Sequence, residues 1–160
     1  MCGMMGVATI SQGHRYTKSE IFDTFPFPPA DAPNRVAIEG FGKNLDTHRV
    51  TALAETPDLT MTEIYNWREK LRAQADGGAK LSPHDVDRAR AARAGIVDRL
   101  HQQIDAAVAE AYGWPTDLAP AGIVARLVAL NAERAAEEKA GHIRWLRPDY
   151  QVPRFGAKKA

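Results

Sequence analysis

"SPHDVDRARAARAGIVDRLHQQIDAAVAEAYGWP", residues 82 to 115, decides the fold class. Ser82 is a good N-cap, Pro83 suits the first helical position because a missing N–H costs nothing there, and Asp85 complements the positive end of the helix dipole. Val97, Leu100, Ile104, Val108 and Ala111 recur at helical spacing, so the stretch predicts a helix over 83 to 112 with one apolar face. Gly113 can take the left-handed geometry that ends such a helix, and Pro115 prevents its continuation.

The same signals extend in both directions. Upstream, "TMTE" at 60 to 63 has the form of a capping box and opens a helix in which Met61, Ile64, Tyr65 and Leu71 share a face. "ADGGAKLSP" is a flexible break after it. Ile38, Phe41, Leu45 and Leu53 predict an earlier helix over about 34 to 55, weakened by Gly40 and Gly42. Downstream, a last helix over about 120 to 140 is expected to bury Ile123, Leu127 and Leu130 and to end at Gly141. The expected fold is all-α: a small bundle of about four helices, preceded by a short strand at "VATI" and an extended Phe-Pro segment.

That segment, "TKSEIFDTFPFPPADAP" at 17 to 33, places Phe22, Phe25 and Phe27 among Pro26, Pro28 and Pro29. Proline removes a backbone donor and biases the preceding residue away from helix, so the strip is expected to be extended. Three rings on irregular backbone need a groove, either within this chain or on a neighbouring domain.

With 160 residues, 44% hydrophobic and 26% charged, the composition is that of a globular protein. A formal net charge of +1 excludes a nucleic-acid binder driven by overall charge. The positive excess sits in the tail, where Arg144, Arg147, Arg154, Lys158 and Lys159 face only Asp149. Cys2 is the single cysteine, which excludes an internal disulfide and fits a cytoplasmic location. "MCGMMGVATI" lacks a basic start and is too short to span a membrane. Its abrupt apolar opening leads us to expect a truncated or mis-assigned N-terminus.

Catalytic constellations are sparse. His14, His48, His84, His101 and His142 show no metal-ligand spacing, and no Gly-rich loop follows a strand, so neither a zinc site nor a P-loop or dinucleotide fingerprint is expected. Pro57-Asp58 with Glu137 and Lys139 loosely echoes a metal-dependent nuclease pattern, but Glu137 and Lys139 lie in the helical charge run "ERAAEEKAG", where a solvated face is the ordinary use. In "GHIRWLRPDYQVP", 141 to 153, Ile143, Trp145 and Leu146 can anchor the segment. Arg144 and Arg147 are then suited either to phosphate contacts or to pairing with helix acids.

"RYTKSEIFDTFPFP" at 15 to 28, "LTMTEIYNWREKLR" at 59 to 72, "LHQQIDAAVAEAYGWP" at 100 to 115 and "VALNAERAAEEKAGHIRWLRPDYQ" at 128 to 151 resemble, in this order, the C-terminal end of MmeI-like class I DNA methyltransferases. These are S-adenosylmethionine-dependent, adenine-type enzymes of type IIG restriction-modification and phage-defence systems. The resemblance covers roughly residues 14 to 151. It implies a remnant of the target-recognition domain and its Phe/Pro linker at 1–33, a C-terminal helical domain at 34–151 and a basic tail at 152–160. It also implies DNA as a partner, with Arg15, Lys18, Arg144 and Arg147 as backbone contacts, and the methyltransferase and target-recognition portion of the parent as the other partner, with Phe22, Phe25, Phe27 and Trp145 at the interface.

The family's methyl-donor loop is missing, and the only Pro-Pro, Pro28-Pro29, is flanked by Phe27 and Ala30 rather than by the residues that hold a flipped base. The chain is therefore expected to carry no catalytic residue or cofactor site and to be inactive alone. The alternative is a self-standing helical adaptor that binds a protein through the strip from Phe22 to Pro29.

Overall fold

Short-range start and stop signals set most helix ends in the computed structural model, which describes residues 8–10, 13–15, 25–29, 31–145 and 148–156. Strands β1 (Ala8–Ile10) and β2 (Gly13–Arg15) pair antiparallel with Thr9 opposite His14. Among the described residues six helices follow: α1 (Arg35–Glu55), α2 (Met61–Ala75), α3 (Pro83–Ala91), α4 (Ala94–Ala111), α5 (Pro120–Lys139) and α6 (Pro148–Phe155). The architecture is helical, with more and shorter helices than the four expected. No helix among the described residues is long and apolar enough to cross a membrane.

At α2 the Thr60 hydroxyl accepts from the Glu63 N–H at 3.2 Å while the Glu63 carboxylate accepts from the Thr60 N–H at 2.7 Å, completing the capping box. Ser82 caps α3 by accepting from the Asp85 N–H at 3.1 Å. At the end of α4, Gly113 adopts φ 68°; its N–H donates to the Glu110 carbonyl and that of Trp114 to the Ala109 carbonyl, both at 2.9 Å. This Schellman closure satisfies carbonyls that the helix would otherwise leave open.

The chain divides into two compact units, one of Asp31–Asp117 and one of Met1–Ala30 with Leu118–Ala160. The first holds α1 to α4. Its core joins Leu45 and Ala52 of α1, Leu59, Ile64 of α2, Ala89 and Ala92 at α3, and Ala94, Val97 and Leu100 of α4, with Phe41, Leu53, Tyr65, Trp67, Leu71 and Ile104 packed around it. Alanine at four of these positions lets the helices approach closely. Asn34, just before α1, donates from Nδ2 to the Ala107 carbonyl at 2.6 Å, and Glu55 at the far end of α1 pairs with Arg93 just before α4. α1 and α4 therefore run antiparallel, fastened at both ends.

The helix expected to run unbroken from 83 to 112 is two helices. Arg93, between them, is in the left-handed region at φ 53° and ψ 26°. A β-carbon there costs about 1 kcal/mol. The side chain offsets this: Nη2 donates to Glu55 at 2.7 Å, Nη1 lies 3.1 Å from His48 Nδ1, and the turn lets Ala89, Ala92 and Ala94 all enter the core. Arg93→Ala, which keeps the strain and loses the clasp, should destabilise the bundle by about 1 kcal/mol. Arg93→Gly, which loses both, should lie close to the wild type in urea unfolding. Equal losses for the two variants would show that the left-handed geometry carries no strain.

In the second unit Phe25 and Phe27 do not lie straight along an extended strip. The Phe27 N–H donates to the Phe25 carbonyl at 2.9 Å, a three-residue turn about Pro26, and the rings meet edge-to-face with centroids 4.8 Å apart. Proline at the centre suits this turn because it has no N–H to leave unpaired. α6 begins at Pro148 with Asp149 in its first turn, a helix that the sequence stretch around it did not announce.

Candidate functional site

Pro120 starts α5 at a position where its ring fits, and the 20 residues that follow carry Ile123, Val124, Leu127, Val128 and Leu130. At 100° per residue these span an arc of about 160°. The expectation that this helix buries Ile123, Leu127 and Leu130 does not hold: no α5 residue is buried. Ile123 is 39% exposed, Val124 56% and Val128 50%. Single exposed valines occur elsewhere, as at Val36 and Val50, but three apolar residues open to solvent within six positions form a patch. Helical periodicity states that a face must be covered without stating by what.

α5 ends in a Schellman closure like that of α4. Gly141, at φ 91°, donates its N–H to the Glu138 carbonyl at 3.0 Å, and the His142 N–H donates to the Glu137 carbonyl at 2.9 Å. The chain turns back on the helix, and Arg144 meets Glu137. Arg144 Nε donates to Oε2 and Nη2 to Oε1, both at 2.7 Å, a side-on fork in which every atom is matched. Arg134 Nε lies 3.9 Å from the same carboxylate. The Arg144 hydrogen bonds hold the Glu137 carboxyl below its ordinary range against the opposing effect of burial, helped by Arg134 and His142.

A second polar cluster crosses α1, α2 and α4. Arg49 Nη1 donates to the Tyr65 hydroxyl oxygen at 3.1 Å, which leaves the phenolic hydrogen for His101 Nε2, also at 3.1 Å. Arg68 Nε donates to Asp98 at 3.0 Å beside them, and Gln102 donates to the other Asp98 oxygen at 2.7 Å. Burial first, then the Arg68 and Arg49 guanidinium groups, push the His101 imidazolium toward losing its proton, against Asp105 and Asp98. The neutral ring is the form that accepts from Tyr65. Each residue has a partner, although Arg49 Nε is buried without one, so the cluster works as a strut between three helices. Sequence reasoning missed it because Tyr65 and His101 are 36 residues apart.

The sign of its pH dependence follows. A histidine whose folded pKa is lowered contributes stability that is complete above its unfolded value of about 6.5 and is lost as pH falls below it. The melting temperature of the wild type should drop between pH 7.5 and 5.5, and His101→Gln should flatten that drop. An unchanged slope in the variant would remove His101 from the titration.

Trp145 is half-buried, next to Arg144, and Phe25 is 37% exposed. Arg15 lies in β2 opposite Ala8, with only its backbone described. Lys18, Phe22 and Arg147 lie outside the described residues. Asp58 of the nuclease-like pattern pairs with Arg88 at 2.9 Å, and Glu137 is held by Arg144. Among the described residues no group of three His, Cys, Asp or Glu side chains is placed to hold a metal. A groove of about 460 Å³ along α2 is lined by Glu63, Asn66, Trp67, Glu69 and Lys70, with the Lys70 ammonium 4.0 Å from the Trp67 ring centroid. Comparison of the chain with protein-family models, with curated proteins and with solved structures returns no match.

Proposed function

We propose that this chain is a non-catalytic helical module of a DNA methyltransferase of the restriction-modification or phage-defence type, which braces the target-recognition portion of its parent and contacts DNA backbone. The observation that carries the reading is α5: a 20-residue helix with an apolar arc and no buried residue. Isolated helices gain little from propensity alone, so such a helix gains most of its stability by docking. The ordered series of sequence motifs makes the methyltransferase and target-recognition portion the partner for that face. S-adenosylmethionine then belongs to the partner.

The α1–α4 bundle, tied by the Arg49–Tyr65–His101 strut and the Arg93 clasp, supplies the rigid body of the brace. The arginines after α5 supply the DNA contact. A guanidinium contact to phosphate positions a duplex without reading its sequence. The test is association: the purified chain mixed with the methyltransferase and target-recognition portion of the parent should form a one-to-one complex in sedimentation, with α5 amides slowed in hydrogen exchange. Two separate species, or a complex in which α5 exchange is unchanged, would overturn the docking.

A further inference from the structure

We propose that Glu137 is an internal stand-in for a DNA phosphate, holding the Arg144 fork until a phosphate diester displaces it. The inference rests on the reading of Arg144 as a backbone contact and adds its regulation. A guanidinium that donates side-on from Nε and Nη2 matches a carboxylate and a phosphate equally well. At 2.7 Å for both bonds, Glu137 fills that side-on edge, so no phosphate can take the same edge while the pair stands.

The pair is also built to exchange. The Arg144 side chain is 48% exposed and that of Glu137 24%, so water reaches the pair and screens it, which allows a phosphate to compete for the guanidinium. Holding Arg144 in place does not require it, because the backbone closure at Gly141 and His142 already folds the segment back on α5. When the Glu137 side chain swings away, Arg144 and Arg134, which lie 2.7 Å and 3.9 Å from its carboxylate, are left at the vacated position, with His142 near enough to act on it electrostatically. Glu137 then masks a site of two guanidinium groups, with Glu133 the other acid that acts on Arg144, and the free chain is held in a state of low affinity for polyanions.

The test uses the 160-residue chain, a short fluorescent DNA duplex and four proteins: wild type, Glu137→Gln, Arg144→Ala and the double variant. Anisotropy gives the affinity and its salt dependence, and circular dichroism the melting temperature. Glu137→Gln should tighten duplex binding about three- to ten-fold, the inverse of what a weak exposed pair withholds. The number of phosphate contacts in the complex stays the same, so the gain should persist across salt concentrations rather than add a contact to the slope. Arg144→Ala should abolish the gain in the double variant. If Arg144→Ala weakens binding while Glu137→Gln leaves affinity unchanged, the masking role is overturned and the DNA contact stands. Identical binding by all four, or no binding by any, overturns the contact and with it the mask.

Discussion

Ile64→Ala should lower the unfolding free energy of the α1–α4 bundle by about 3 kcal/mol. Ile64 and Val97 are the largest fully buried side chains, and several of the other core members are already alanine. The cost of a large-to-small change combines lost transfer free energy with the cavity left behind, and it grows when neighbours cannot collapse inward. Ala52, Ala92 and Ala94, at zero exposure, have no side-chain length with which to fill the space. Against a total stability of about 5–15 kcal/mol for a domain, the loss is large enough to shift the urea midpoint plainly. Val124→Ala on α5, where half the side chain is in water, should change the unfolding free energy by less than about 0.5 kcal/mol. Similar losses at the two positions would mean that the core lies elsewhere.

The second large effect is on association. Val124→Asp with Val128→Asp should leave the melting temperature of the free chain nearly unchanged, because both positions are exposed. Binding to the methyltransferase and target-recognition portion should weaken by about 100-fold or more. Losing the burial of two valines costs about 2–3 kcal/mol, and a carboxylate facing an apolar partner adds its own desolvation. Calorimetric titration of the two chains measures this. Retention of affinity by the double variant would move the docking face away from α5.

Local signals were legible where they acted alone. The Thr60–Glu63 box, the Ser82 cap and the Gly113 closure each depend on neighbours within a few positions, so the sequence around them suffices. The break at Arg93 was not legible, because "RARAARAG" is built mostly of good helix formers and only the packing of Ala89, Ala92 and Ala94 makes the turn worthwhile. α5 shows the complementary limit. Its periodicity is clear, and the same stripe describes a helix buried in its own chain and one that awaits a partner. The Arg144–Glu137 fork stood among the alternatives at the sequence level, since seven residues across a glycine closure can bring the two together, but the choice between pairing partners depends on where the chain returns.

The most direct measurement of the central claim is transfer of a labelled methyl group from S-adenosylmethionine to duplex DNA. Three samples are compared: this chain alone, the methyltransferase and target-recognition portion alone, and the two together. The account predicts no transfer by the chain, weak transfer by the partner and a clear rise on mixing that the Val124→Asp, Val128→Asp chain fails to produce. Transfer by the chain alone, or a partner whose rate is the same with and without it, would contradict the account.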